Sequence, residues 1–326
     1  MKTFVIAEAG SNHNNNFEQA KSLIDVAKYS GASACKFQTY SSDTLYSKNT
    51  PDFAGYKNIS KLIDDIKLPR DWQKPLKEYC DQLGIEFMST PFDEKAVEEL
   101  VNLKVKRLKI SGFESTDFRF IEMVASSKLP LIISLGIGFR MNLIGKIFDI
   151  ADKYGNDLSF MHCNNAYPTP IEHAGISIVK QLSNDNRYQW GLSDHTESVL
   201  TPALAVAAGA SIIEKHFTLS RRLPGPDHLF ALEPEELVEM VNHIKFAEKS
   251  LKRKDSRNLS DSEVRFKNAM RSVVAKSKIN KGDKFTVDNI TTKRPFIEGN
   301  IPAENFHLML GIKSNKFYKK DDFICN

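Results

Sequence analysis

Eight short segments rich in β-branched and apolar residues alternate with amphipathic stretches through most of this chain, and few folds can absorb that pattern. The candidate strands are Phe4–Ala7, Ala34–Gln38, Glu86–Ser89, Arg107–Ile110, Leu131–Ser134, Leu158–Cys163, Trp190–Ser193 and Ile212–Phe217. Between them lie helical patterns such as FEQAKSLIDVAKYS, in which Phe17, Ala20, Ile24 and Ala27 share one face at three- and four-residue steps. Gly31, Gly84 and Gly209 follow helical patterns, where a left-handed C-cap is wanted, while Asp93 and Pro234 suit helix starts. Strand and helix repeated eight times over roughly 250 residues predict a (β/α)8 TIM barrel. A doubly wound open sheet shares the periodicity and differs only in closure.

Beyond Lys249 the composition changes. KSLKRKDSRNLSDSEVRFKNAMR is polar and dense in charge, and it reads as a solvated helix end and linker. RSVVAKSKINKGDKFTVDNITTKRP then reads as short strands and turns. The expected organisation is a barrel over 1–251, a linker over 252–268 and a small β-rich domain over 269–326. That domain is short for independent stability, so docking against a barrel is expected.

Charge and cysteine content narrow the function classes. A formal net charge of +4 suits an anionic substrate, and without a clustered basic face it argues against nucleic acid. No apolar run approaches the length of a membrane span, so a cytoplasmic protein is expected. Cys35, Cys80, Cys163 and Cys325 lack CxxC spacing, which indicates neither a zinc site nor a disulfide framework.

In a barrel enzyme the chemistry gathers at the C-terminal ends of the strands. Every candidate strand here ends in polar residues: Glu8 with Asn12 and His13; Lys36 and Gln38; Ser89 and Thr90; Lys109, Ser111 and Glu114; Ser134; Asn164 and Asn165; Ser193, Asp194 and His195; Glu214, Lys215 and His216. A single strand-end polar residue is usually a cap or turn former. A lysine inside an apolar strand is different, because an unpaired buried ammonium is costly. Lys36 and Lys109 beside Ser134 and Ser193 could form a phosphate and carboxylate pocket, or pair with Glu8 and Glu114 in the empty enzyme. His195 and His216 end adjacent strands and could converge on one metal at an open Lewis-acid site; two satisfied core histidines are the plainer alternative. Asp227, in the RLPGPDH loop after the eighth strand, could accept sugar hydroxyls.

Taken in order, IAEAGSNHN, CKFQTY, STPFD, KISGFE, HCNNAYPTP, GLSDHT, IEKHFTL and PGPD resemble the sialic acid synthase (N-acetylneuraminate synthase) family, which includes legionaminate and pseudaminate synthases. SVVAKSKINKGDKFTVDNITTKRP resembles the antifreeze-protein-like domain that follows the barrel in that family. The resemblance implies condensation of phosphoenolpyruvate with an open-chain N-acyl amino sugar, with phosphate released by C–O cleavage. It implies a divalent metal on His195 and His216, typically manganese, with magnesium or cobalt as alternatives. Lys36, Gln38, Thr90, Lys109, Ser134, Asn165, Tyr167 and Ser193 would hold phosphoenolpyruvate. Glu8 and Glu114 would serve the reacting centre, with Glu114 taking the proton of the attacking water. His13 and Asp227 would meet the sugar, and Arg294 would reach the barrel of a second subunit in a domain-swapped homodimer.

The chain departs from the family pattern at four places. Gly112 and Phe113 stand where Ser-Gly is usual, Leu135 where Thr is usual, and Phe296 where Gly is usual. The acceptor stays open between N-acetylmannosamine, its 6-phosphate and a 2,4-diacetamido-trideoxyhexose. GPDHLFALEP is similar to the sialic and legionaminic branches, Phe113 to the pseudaminic one. Competing readings are a Schiff-base aldolase using Lys36 or Lys109, and a non-catalytic carbohydrate- or ice-binding protein.

Overall fold

A computed structural model describes residues 2–52, 55, 57–252 and 258–325. They form two compact units, Met1–Lys252 and Arg253–Asn326. Part of the expected linker, residues 253–257, lies outside the described residues.

The first unit is a (β/α)8 barrel. Its strands are β1 (Phe4–Gly10), β2 (Ala34–Thr39), β3 (Glu86–Pro91), β4 (Leu108–Ile110), β5 (Leu131–Leu135), β6 (Leu158–Cys163), β7 (Gln189–Asp194) and β8 (Ile212–His216). They pair in parallel in the order β3-β2-β1-β8-β7-β6-β5-β4, and β3 lies beside β4 to bring the ends of that order together. The helices between them cap as their sequences suggest. Asn16 accepts from the Gln19 amide at the start of Phe17–Ser30, and Gly31 ends that helix at a φ of 86°. Asp93 accepts from the Ala96 amide. Pro234 opens Pro234–Ser250, where the Glu233 and Glu236 side chains and backbone form a reciprocal capping box.

The strand period of two sets what fills the barrel. Ile6, Ala34, Met88, Ile132, Met161 and Ile212 form one buried cluster inside it. Two residues further along each of the same strands stand Glu8, Lys36, Thr90, Ser134, Cys163 and Glu214, which all line a cavity. An apolar plug thus underlies a polar layer. A separate, larger core packs the outer faces of the strands against the helices, with Leu23, Ile24, Phe37, Leu108, Phe160, Leu192, Ile213 and Met240 among its buried members.

The second unit has its own core: Val273, Ala275, Ile279, Phe285, Ile290, Ile301, Tyr318 and Ile324. Its strands β9 (Ser272–Ala275) and β10 (Ile290–Lys293) pair antiparallel, and isolated bridges such as Ile279 to Tyr318 and Val274 to Phe323 knit the remainder. Before β9, Ser260 and Glu263 form the capping box of a single turn, Asp261–Val264.

A polar well and an outer chamber at the barrel mouth

Register brings the charged residues together. Glu8 lies opposite Lys36 on one side and His216 on the other, Gln38 opposite Thr90, and Ser193 opposite Glu214. The result is a well of about 460 Å³ lined by Glu8, Lys36, Gln38, Thr90, Lys109, Ser134, Tyr167, Ser193, His195 and His216, with Ser111, Cys163 and Glu214 among the others.

Two ammoniums and two carboxylates alternate in its floor. The Lys36 Nζ lies 2.7 Å from Glu8 Oε2 and 3.7 Å from Glu214 Oε2, and donates to Thr90 Oγ1 at 2.8 Å. The Lys109 Nζ lies 3.5 Å from Glu214 Oε1 and donates to Ser134 Oγ at 2.8 Å. Ser193 donates to Glu214 at 3.2 Å, and Gln38 to Glu8 at 2.7 Å. Burial pushes Glu8 up to about 7 against the pull of Lys36. Glu214, also buried, is held low by Lys109 and Lys36 together. The partner of Lys109 is therefore Glu214 and not Glu114, because the eighth strand places its carboxylate between both lysines.

His195 and His216 face each other with ring centroids 5.4 Å apart. The His195 Nδ1 lies 2.6 Å from the Asn164 carbonyl, which can only accept, so that nitrogen carries the proton and Nε2 keeps a lone pair. The His216 Nδ1 is buried without a hydrogen-bond partner. Burial lowers both, His195 to about 4, which keeps the imidazoles neutral and able to ligate. The Tyr167 ring lies 4.2 Å from that of His195, beside the pair. These donors fit a divalent cation: two neutral imidazoles, one oriented by a backbone carbonyl and one with an orphaned nitrogen. Among the described residues no third His, Cys, Asp or Glu joins them, so water or substrate would supply the remaining ligands, as an open Lewis-acid site requires.

Above the well lies an outer chamber of about 1290 Å³, which shares Gln38, Phe92, Phe113, Tyr167 and His216 with it. Asn165 and Asp227 line the outer chamber. Asp227 is half-buried; desolvation raises its carboxyl, and it accepts from Ser11 Oγ at 3.0 Å. Gly10, at a φ of 51°, makes room for it: a β-carbon there would stand 3.0 Å from Asp227 Oδ2.

Two residues expected at the site, Glu114 and His13, stand outside both cavities. Glu114 lines neither cavity; burial raises its carboxyl, and its Oε2 has no hydrogen-bond partner. His13 also lines neither: it is fully buried against Phe37 and Trp72, and its Nδ1 accepts from the Asn15 amide. Arg294 belongs to the second unit and is exposed there. Glu214, which the strand-end pattern names without a partner, follows plug residue Ile212 by two positions, just as Glu8 follows Ile6. The helix Ile59–Ile66, whose Ile59, Leu62, Ile63 and Ile66 line the outer chamber, lies beyond reasoning from strand ends alone.

Fold and site define a barrel with two buried ammoniums and a pair of imidazoles at its mouth. The profile of the NeuB family matches residues 23–256, and the chain belongs to that family. It is 38% identical to the N,N'-diacetyllegionaminic acid synthase of Legionella pneumophila over 90% of this chain and 86% of that protein. It is 34% identical to the pseudaminic acid synthase of Campylobacter jejuni, with 98% of this chain and 95% of that one covered. The N-acetylneuraminic acid (sialic acid) synthetase of Leptospira borgpetersenii, solved in complex with citrate, superposes with a TM-score of 0.75 at 31% identity, covering 82% of this chain and 92% of that one. No helix among the described residues is long and apolar enough to cross a membrane.

Proposed function

We propose that the protein condenses phosphoenolpyruvate with the aldehyde of an open-chain N-acyl amino sugar, forming a sialic-acid-type nonulosonate and inorganic phosphate. One observation carries the reading: two buried ammoniums flank a carboxylate at the floor of a small well that also holds two neutral imidazoles. A substrate made mostly of phosphate and carboxylate fits that charge. Lys36 and Lys109 would neutralise it, and Gln38, Thr90, Ser134 and Ser193 would orient it, with Asn165 and Tyr167 at the rim.

His195 and His216 would hold a divalent cation, manganese, magnesium or cobalt, whose charge polarises the acceptor aldehyde. C3 of phosphoenolpyruvate bonds to the aldehyde carbon, and the aldehyde oxygen takes up a proton to become a hydroxyl. Water then bonds to C2 and loses a proton. Glu8 lines the well and is poised near neutrality, so it is better placed than Glu114 to relay that proton. Cleavage of the bond from C2 to the bridging oxygen, with loss of the C2 hydroxyl proton, releases phosphate and leaves the ketone.

The competing Schiff-base chemistry needs a neutral lysine. Lys36 is held as an ammonium by Glu8 and Glu214, although burial lowers Lys109. Phosphate release from phosphoenolpyruvate, followed across a panel of 2-acylamino sugars with manganese and then with EDTA, tests the reading. The expected result is sugar-dependent, EDTA-sensitive release that disappears in His195→Ala and His216→Ala. EDTA-indifferent turnover, with borohydride trapping substrate on Lys109, would overturn it in favour of the aldolase.

The resemblance of residues 269–326 to an antifreeze-protein-like domain supports a further part of the proposal. In this reading the protein is a homodimer in which each small domain serves the other subunit's barrel, with Arg294 directed at the sugar.

A further inference from the structure

The charge of the chain is unevenly shared. Residues 258–326 hold thirteen Lys and Arg against eight Asp and Glu, an excess larger than the +4 of the whole protein. Residues 276–285 carry four lysines and one carboxylate, and residues 312–320 carry four lysines and none. These two runs are apart in the sequence and side by side in the second unit. Ile279 and Tyr318 exchange backbone hydrogen bonds at 2.9 Å, and the Gly282 amide donates to the Ser314 carbonyl at 2.8 Å. Ile279, Phe285 and Tyr318 are buried in the unit's core, whereas all eight lysines of the two runs are exposed.

This ribbon concentrates like charge. Lys284 lies directly opposite Lys313, a pairing that costs stability where an opposite charge would add to it. Among the described residues the ion pair of this unit joins Lys293 to Asp321, and none of the eight lysines takes part in one. Apolar surface is set among the ammoniums: Ile312 and Phe317 are 49% and 47% exposed, and the Lys278 Nζ stands 5.5 Å from the Phe317 ring centre. The ribbon contains no Arg, hence no planar fork for a base edge or a single phosphate. It begins at Lys276, beyond the Ala275 end of β9, whereas Arg294 follows Lys293 at the Ser272 end. The two features therefore leave the sheet at opposite ends.

We propose that this ribbon docks the protein peripherally on an anionic lipid bilayer, with its lysines at the headgroup phosphates and Ile312 and Phe317 at the acyl boundary. A surface of ammoniums interleaved with apolar side chains matches both layers of such an interface. A nucleic acid duplex matches the ammoniums only, and would leave the aliphatic carbon of Ile312 without a partner. The proposal stands apart from the condensation, since it uses no residue of the well or the outer chamber.

Full-length protein should be sedimented with vesicles of equal parts phosphatidylglycerol and phosphatidylcholine, and separately with vesicles of phosphatidylcholine alone. Sedimentation with the anionic vesicles only is expected, weakening steeply as sodium chloride is raised. One lysine at an anionic surface contributes about fivefold in affinity, so Lys284→Glu should weaken binding by about fivefold or more. The same substitution sets opposite charges across the ribbon, so the thermal unfolding midpoint should hold or rise, which separates lost binding from lost fold. Phe317→Ser should weaken binding by about threefold or more, and that loss should persist at high salt. Equal binding to both vesicles, binding to neither, or binding unmoved by Lys284→Glu would each overturn the proposal. Binding of a duplex oligonucleotide in place of the anionic vesicles would overturn it too, and reassign the ribbon to nucleic acid.

Discussion

Glu214 and Lys215 are neighbours on one strand, yet they belong to different environments because successive side chains leave a strand on opposite faces. Glu214 enters the well, whereas Lys215 is buried on the other side of β8, where its Nζ lies 2.7 Å from Asp194 Oδ2 and also meets the Thr196 carbonyl. The same Asp194 accepts from the Thr196 amide at 3.0 Å. The two residues flanking His195 are thereby clamped to β8, the strand that carries His216. If this clamp positions the imidazole pair, replacing Lys215 should show in two separate readouts. Lys215→Met leaves Asp194 buried and unpaired, so urea denaturation should report a loss of about 3–5 kcal/mol. Calorimetric titration of the folded variant with manganese should show affinity about 10- to 100-fold weaker, the scale on which outer-shell groups act. Lys215→Arg, which retains the charge, should recover much of both. Unchanged manganese affinity in Lys215→Met would confine the pair to a structural role.

Between elements, a close contact near the site joins the loops after β4 and β5. A β-carbon on Gly136 would stand 2.2 Å from Asn165 Oδ1 and 2.7 Å from the Gly112 α-carbon, and one on Gly112 would meet Asn165 and Gly136 at 3.0 to 3.1 Å. Gly112, a departure from the usual serine, thus occupies a place where backbone meets backbone. Ser111 lines the well beside it and supplies a hydroxyl there. Asn165 is fixed in the same contact by accepting from the Ile137 amide at 2.7 Å. Gly136→Ala overpacks this junction and should cost about 1–3 kcal/mol by urea denaturation. Steady-state kinetics should show a higher KM for phosphoenolpyruvate, since Asn165 must move. At this scale much was legible in the sequence. All eight strands fall where apolar runs predict them, because each must be buried on two faces. The polar layer could also be read, once it is seen that the plug residues precede it by two positions. Partner choice could not: Glu214 faces two lysines because barrel register brings β8 within reach of β2 and β4, and sequence carries no register across a crossover. The stripe Ile59, Leu62, Ile63 and Ile66 is plain in the sequence, but the cavity it faces is made by loops far along the chain. His13 and Glu114 sit near strand ends, as cavity residues do, and were drawn away from both cavities by local packing.

For the whole molecule, two cores imply separate stability. The buried cluster around the barrel strands lies within the first unit, and the cluster from Val273 to Ile324 within the second. A chain ending at Lys252 keeps every strand and helix of the barrel and every residue that lines the well and the outer chamber. It should therefore unfold cooperatively, with near-UV circular dichroism typical of packed aromatics such as Phe148 and Tyr188, whose rings stack 4.6 Å apart. If the small domain serves the barrel of a second subunit, this folded barrel should be monomeric by light scattering. It should release no phosphate from phosphoenolpyruvate, although manganese still binds His195 and His216. Adding back full-length protein that carries His195→Ala, whose own well is disabled, would then restore turnover only by lending its second unit to the truncated barrel. Restored activity at a rate that saturates with the added chain is the outcome the swapped arrangement requires. A truncated barrel that is monomeric and already active would leave Arg294 without a part in the reaction.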